Sequence, residues 1–225
     1  MMQVLMCLNQ SEQGELLTKE AVRILKEETV HVLSYEECVL EKYEKYDLII
    51  LDTQFMDIAR QIRKVNQNCF LIFVGEEFQD IFEAFHLKTF QYLPSYVSDE
   101  ILEHVLLRAR YAYKKKNAEC VLYTKEGEKH FKPKDIMYIE TRNRELVMET
   151  VYGTFFGKVH NLMKMKSELD DFHFAQVHQS YFLNMNFILS IKKGEVTLRN
   201  GEKIPTSITN REKVKEKIEH FLLTP

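Results

Sequence analysis

The residues with the most chemical potential lie in the second half of the chain. Phe174 to Asn184, FAQVHQSYFLN, sets a polar knot, His178-Gln179-Ser180, between apolar flanks. Polar side chains pinned in this way sit where a packed scaffold presents them at its surface. Gln179 can pair with the edge of an adenine, and His178 can join such a contact or hydrogen-bond to its own backbone. Thr141-Arg142-Asn143-Arg144 forms a turn between two β-like runs. Its two guanidiniums suit a bidentate grip on guanine or phosphate, or ordinary pairing with Glu140 or Glu145. Lys192, Lys193 and Lys203 are candidates for phosphate contact or plain solvation. Thr209 and Asn210, followed by Arg211, stand at a helix start, where backbone N–H groups favour phosphate.

Other chemistries find little to work with. Cys7, Cys38, Cys69 and Cys120 are far apart and form no C-x-x-C pair, so they read as free thiols and not as a zinc or redox site. An enzyme built on His178 or a cysteine would need a paired base, a metal-ligand set or a glycine-rich phosphate loop, and the chain has seven glycines in all. No apolar run approaches the roughly 18 residues of a membrane span. MMQVLMCLNQ lacks a basic region leading into a longer apolar segment, so a secretory signal is not expected and a cytoplasmic location is.

Two kinds of element carry these residues. From the start to about residue 117, short apolar runs alternate with helical patterns. Val4–Leu8, Val30–Leu33, Leu48–Leu51, Phe70–Val74 and Phe90–Leu93 are the strands. Helices are expected near 12–28, 36–43, 56–64, 78–85 and 99–115. Leu16, Leu17, Val22 and Leu25 should face inward on the first helix, and Ile101, Val105, Ala109 and Ala112 on the last. Fully apolar strands between helices imply a parallel sheet covered on both faces, in a doubly wound, flavodoxin-like domain. From about residue 118 the pattern is mainly β. Runs at 120–123, 129–131, 136–140, 146–150 and 154–157 precede a short helix at 161–169, and strands at 187–191, 195–198 and 203–207 precede a last helix at about 210–222. Asn200-Gly201 between two runs predicts a type I′ hairpin turn, with φ > 0 at both central residues. Residues 1–117 carry 14 basic and 19 acidic side chains and the remainder 17 and 15, so the halves differ as −5 and +2. An acidic sensing half and a phosphate-facing half would divide charge in that direction.

The first half resembles the receiver domain of two-component response regulators. Asp47 to Asp52, DLIILD, looks like the third receiver strand, whose final aspartate accepts phosphate. The resemblance makes Asp52 the phosphoacceptor candidate, with Mg²⁺ as cofactor only if it is phosphorylated. The rest of that apparatus is eroded. Leu8, Asn9 and Gln10 stand where receivers keep an acidic pair, with Glu12 too late, Gly75 stands for the hydroxyl residue, and Leu93-Pro94-Ser95 for the lysine. Mg²⁺ needs carboxylates and water around it, so this half reads as a pseudo-receiver, and Asp52 as a turn or cap residue.

The second half resembles the LytTR family of bacterial DNA-binding domains. The matching pieces are Asp135-Ile136, Tyr138-Ile139-Glu140, then His178, Ser180, Tyr181 and Asn184, and the Asn200–Ser207 ending. The resemblance implies a mainly β domain that reads double-stranded DNA with loops, at repeated half-sites and so as a homodimer. It points to Arg142, Asn143, Arg144, His178, Gln179, Lys192, Lys193, Lys203, Thr209, Asn210 and Arg211 as DNA contacts, and to Ser180, Tyr181 and Asn184 as architecture. Gln176 replaces a frequent arginine, and Ile208-Thr209 stands where another is common, which bears on base specificity. The expectation is a transcriptional regulator working without aspartate phosphorylation, in touch with a histidine kinase or another regulatory protein. The alternatives are a phosphorylation switch on Asp52 and a protein-binding module on the same fold.

Overall fold

The computed structural model describes the chain except residues 77, 160–161, 193, 208–214, 219 and 222–225, and except the side chains of residues 78 and 79. The chain divides between Lys116 and Asn117 into two units, each with its own core.

The first unit alternates β1 (Gln3–Cys7), α1 (Glu12–Ile24), β2 (Thr29–Val32), α2 (Tyr35–Val39), β3 (Leu48–Asp52), α3 (Met56–Val65), β4 (Phe70–Gly75), α4 (Phe78–His86), β5 (Gln91–Pro94) and α5 (Asp99–Lys116). The five strands pair in parallel in the order β2-β1-β3-β4-β5, the flavodoxin-like order. Period-2 alternation divides the central strand between two cores. Leu48 and Ile50 meet Leu17, Ala21, Leu102 and Leu106 on the side of α1 and α5. Ile49 and Leu51 meet Met56, Ala59 and Ile62 on the side of α3.

Helix phase departs from expectation. Leu16 and Val22 are exposed, and Leu17, Ala21 and Leu25 form the buried stripe. Ile101 is exposed, while Leu102, Val105, Leu106 and Ala109 are buried. Both helices offered overlapping apolar stripes, and on α5 the chosen one removes Leu102 and Leu106 from water in place of Ile101 and Ala112. The second helix is shorter than expected: the Ser34/Glu37 capping box starts α2, which ends at Val39 and is followed by a 3₁₀ turn at Tyr43–Lys45.

The second unit is layered around a five-stranded sheet. β6 (Cys120–Thr124) and β7 (Gly127–Phe131) form a separate ribbon. β8 (Ile136–Arg142), β9 (Glu145–Thr150), β10 (Gly153–Lys158), β11 (Phe174–His178) and β12 (Tyr181–Asn184) pair antiparallel in the order β10-β9-β8-β12-β11. The ribbon and α6 (Leu162–Leu169) cover one face through Leu122, Phe131, Met165 and Leu169 against Ile139, Met148, Phe174 and Phe182. A small sheet of β13 (Ile188–Lys192), β14 (Glu195–Leu198) and β15 (Lys203–Pro205) covers the other through Ile188, Val196, Leu198 and Ile204. Of the last helix, residues 215–218 and 220–221 are described, with Ile218 buried in that second core.

The Asn200-Gly201 turn is not type I′. Gly201 alone has φ > 0, at 87°. The Gly201 amide donates to the Leu198 carbonyl and the Leu198 amide to Glu202, leaving a three-residue loop that ends in a left-handed glycine. The type I′ signature is found instead at the β8–β9 tip. There Arg142 pairs with Glu145, and Asn143 and Arg144 have φ of 49° and 66°.

Candidate nucleic-acid interface

Sheet register brings the polar knot and the arginine turn to one end of the second unit. β12 runs beside β8 with Tyr181 opposite Glu140, and the Thr141 amide donates to the Ser180 carbonyl at 2.9 Å. The Asn143-Arg144 tip and the His178–Ser180 turn are therefore neighbours. The Ser207 amide donates to the Val177 carbonyl at 2.8 Å, which delivers the segment leading into residues 208–214 to the same end. The Thr206 amide donates to the Gly194 carbonyl at 2.9 Å and draws in the β13–β14 turn with exposed Lys192.

The turn that carries Gln179 is braced from below. A β-bulge between Gln176 and His178 breaks the register with β12 and re-aims the strand end. The Gln176 amide nitrogen donates to the His178 carbonyl at 2.5 Å and lies 3.3 Å and 3.4 Å from the Gln179 and Tyr181 carbonyls. Lys166 of α6 donates to the Gln176 side-chain oxygen at 2.5 Å, and burial pulls its ammonium below the usual lysine range. Gln176, standing where an arginine was expected, is thus a positioning residue. His178 Nδ1 accepts from the Ser180 amide at 3.2 Å, so the neutral ring carries its proton on Nε2. His178 is half-buried and Gln179 exposed.

The two arginines differ. Arg142 grips Glu140, with Nε at 3.1 Å and a terminal nitrogen at 2.5 Å. Glu140 is buried, and the Arg142 guanidinium, helped by the Tyr181 hydroxyl, holds its carboxyl below the usual range against the opposing pull of burial. A depressed carboxyl contributes stability that is full above its unfolded value, about 4.3, and is lost as pH falls through the folded one. Removing the cation leaves burial as the stronger influence. An Arg142→Gln variant should therefore show the Glu140 carboxyl titrating at higher pH by NMR. An unmoved midpoint would mean that the pair does not form in solution. Arg144, exposed, has no hydrogen-bond or ion-pair partner among the described residues. Lys203 pairs with Glu195 at 3.3 Å and so presents a neutralised charge. Lys193, Thr209, Asn210 and Arg211 lie outside the described residues.

Asp52 in the first unit ends β3, buried, and caps the short 3₁₀ turn after it by accepting from the Gln54 amide at 3.0 Å. Its other oxygen accepts from the Asn9 side-chain amide at 2.6 Å. Asn9 is itself oriented, its oxygen accepting from the Ser11 amide at 3.2 Å. A Cβ on Gly75 would fall within the Thr53 side chain and beside the Tyr92 hydroxyl, and Ser95 donates to Glu76. Glu12 is exposed in the first turn of α1. One carboxylate facing two neutral amides is a poor donor set for Mg²⁺, and these residues do not fit that ion.

Among the described residues no helix is long and apolar enough to cross a membrane. Residues 126–219 match the family model of the LytTr DNA-binding domain. The chain is 24% identical over 197 residues to the sensory transduction protein LytT of Bacillus subtilis (strain 168), covering 77% of this chain and 80% of the relative. It is 23% identical over 238 residues to LytT of Bacillus anthracis, covering 90% and 95%. Among solved structures it is similar to a LytTr DNA-binding domain from Bacillus cereus, at 20% identity and a TM-score of 0.40 over 45% of this chain and 97% of that one. It is also similar to a receiver-domain protein from Clostridium thermocellum, at 18% identity and a TM-score of 0.41 over 51% of this chain and 98% of that one. Residues 126–219 are thus a LytTR DNA-binding domain, and the unit that precedes it in the chain has the doubly wound, flavodoxin-like α/β fold.

Proposed function

We propose that the chain is a sequence-specific transcriptional regulator that binds double-stranded DNA without aspartate phosphorylation. The observation that carries the second clause is the Asp52 carboxylate, whose oxygens are taken by Asn9 and by the Gln54 amide. Phosphoryl transfer depends on positioning and on charge neutralisation at the acceptor, and here two neutral donors stand beside the acceptor. At the other unit, Gln179 and Arg144 read base edges, with Asn143 and His178 beside them, and Lys192 meets phosphate. Arg142 holds the turn through Glu140. Lys193, Thr209, Asn210 and Arg211 contribute further contacts to the backbone, and Lys203, paired with Glu195, adds little. Repeated half-sites need two copies, so the protein works as a homodimer on DNA. It acts in the cytoplasm, without enzymatic activity, and the first unit takes its input from a regulatory protein or from dimerisation.

The test is a titration of the unmodified protein and of Asp52→Asn against a randomised DNA pool, with sequencing of the bound fraction. Both should recover one repeated motif with half-sites about one helical turn apart, at affinities within about twofold. Acetyl phosphate with Mg²⁺ should add no mass to Asp52. A phosphoryl adduct that tightens binding would replace this reading with a phosphorylation switch. Failure of both proteins to select any sequence would favour a protein-binding module.

A further inference from the structure

The end of the second unit that carries the two turns extends sideways into a groove. It lies between the β6–β7 ribbon and the β9–β10 edge, with a volume of about 720 Å³. Its floor is tightly built: a Cβ on Gly157 would run into Leu122 of the ribbon, and the Phe131 and Phe155 rings meet at a tilt of 57° with centroids 4.8 Å apart. Four cations line it, Lys125, Lys129, Arg144 and Lys158, against Glu126 and Glu145. Lys129 is occupied by Glu126 at 3.4 Å and by the face of Phe155 at 5.1 Å. Lys125, Lys158 and Arg144 are exposed and without a hydrogen-bond or ion-pair partner among the described residues. In a chain of net charge −3, a groove lined at +2 is a local attractor for anions.

Register gives the groove its place relative to the turns. Lys158 pairs with Glu145, Glu145 with Arg142, and Glu140, two residues before Arg142, with Tyr181. The ends of β10, β9, β8 and β12 therefore form one row. Three strand spacings put the end of β10 about 14 Å from the turn that carries Gln179. The major groove of DNA is about 12 Å wide, so a duplex with its base edges at that turn has a phosphate backbone at the far end of the row. Arg144 belongs both to the turn and to the groove wall.

We propose that this groove holds the DNA backbone flanking the bases addressed by the two turns, with Lys125 and Lys158 as phosphate contacts. The assignment rests on the DNA-binding reading above. It makes the β6–β7 ribbon part of the DNA interface, beyond the turns that sequence alone singles out. The exposed Phe156 ring and the partly exposed Phe155 then pack against sugar.

The experiment compares the full chain with its Lys125→Gln/Lys158→Gln double variant on a selected site and on an unrelated duplex, across a salt series. Each lost phosphate contact removes about 0.9 from the slope of log K against log salt, so the double variant should lose between about 1 and 2. Affinity should fall equally on both duplexes, with base preference unchanged, and ethylation interference should vanish at phosphates on one flank only. Wild-type binding with the same slope and footprint in the variant would overturn the groove assignment and leave the DNA reading intact. Pyrophosphate bound by the DNA-free protein and lost in the variant, without a change of DNA slope, would overturn it in favour of a small-anion site. No DNA binding by the wild type would remove both.

Discussion

Replacing Asn184 by aspartate should cost the second unit about 3–5 kcal/mol, a large share of the roughly 5–15 kcal/mol that holds an ordinary domain folded. Asn184 is buried, and its amide nitrogen donates to the Pro133 and Ile136 carbonyls at 3.2 Å and 2.9 Å. Its oxygen accepts from the Asn186 amide at 3.1 Å and from the Asn186 side chain at 2.9 Å. One side chain thus ties the end of β12 to the start of β8 and caps the turn that follows. Aspartate keeps the acceptor and loses the donor. Two buried carbonyls lose their partner at roughly 1–3 kcal/mol each, and a carboxylate is forced against them or must take up a proton. The measurement is amide exchange, with the first unit as internal control. Protection should collapse in β8, β9 and β12 and persist in β1, β3 and β4. Wild-type protection in β8 and β12 would refute the assigned bonds.

Arg144→Gly should lower affinity for the selected DNA site by about 10- to 100-fold while leaving the fold as stable as before or more so. The first part follows from the worth of a good arginine contact, about 1–3 kcal/mol. The second follows from φ at Arg144, 66°. A side chain in the left-handed region costs roughly 1–2 kcal/mol, which glycine does not incur. Asn-Gly is the preferred pair for a type I′ turn, and here the second place is filled by a residue that suits the turn poorly. Backbone strain of this kind persists where the side chain serves a purpose. Arg142→Ala should weaken DNA binding less, because Glu140 already neutralises that charge. Equal affinity of wild type and Arg144→Gly, in filter binding at fixed salt, would show that the tip does not meet DNA.

Much of this architecture is written in the sequence. The runs around Leu48–Asp52 and Phe70–Gly75 are apolar at nearly every position, and only a sheet covered on both faces accepts that. The His178 and Asn200–Ser207 motifs mark the β unit, and the β-bulge between Gln176 and His178 falls just before the polar knot. Helix phase was less legible, because Leu16 and Leu17, like Ile101 and Leu102, are adjacent and only packing chooses between them. Turn type failed for a similar reason. Asn-Gly prescribes type I′ only in a two-residue loop, and pairing between β14 and β15 leaves three. The Glu140–Arg142 pair was one of two pairings open in the sequence, and the β8–β12 register settles it by burying Glu140 beside Tyr181. Gln176 as a brace could not be read, since Lys166, which orients it, belongs to another element.

The amide that Asn9 lends to Asp52 bears on how such a regulator could be controlled at all. On the proposed reading no phosphoryl transfer releases it from an off state, so at a given input to the first unit the occupancy of its sites follows how much of it the cell makes. Two copies per site make that dependence steep: well below saturation, halving the dose leaves about a quarter of the occupancy, by simple mass action. Synthesis and proteolysis would then set its output, and the lifetime of the folded chain would stand in for the lifetime of a phosphoryl group.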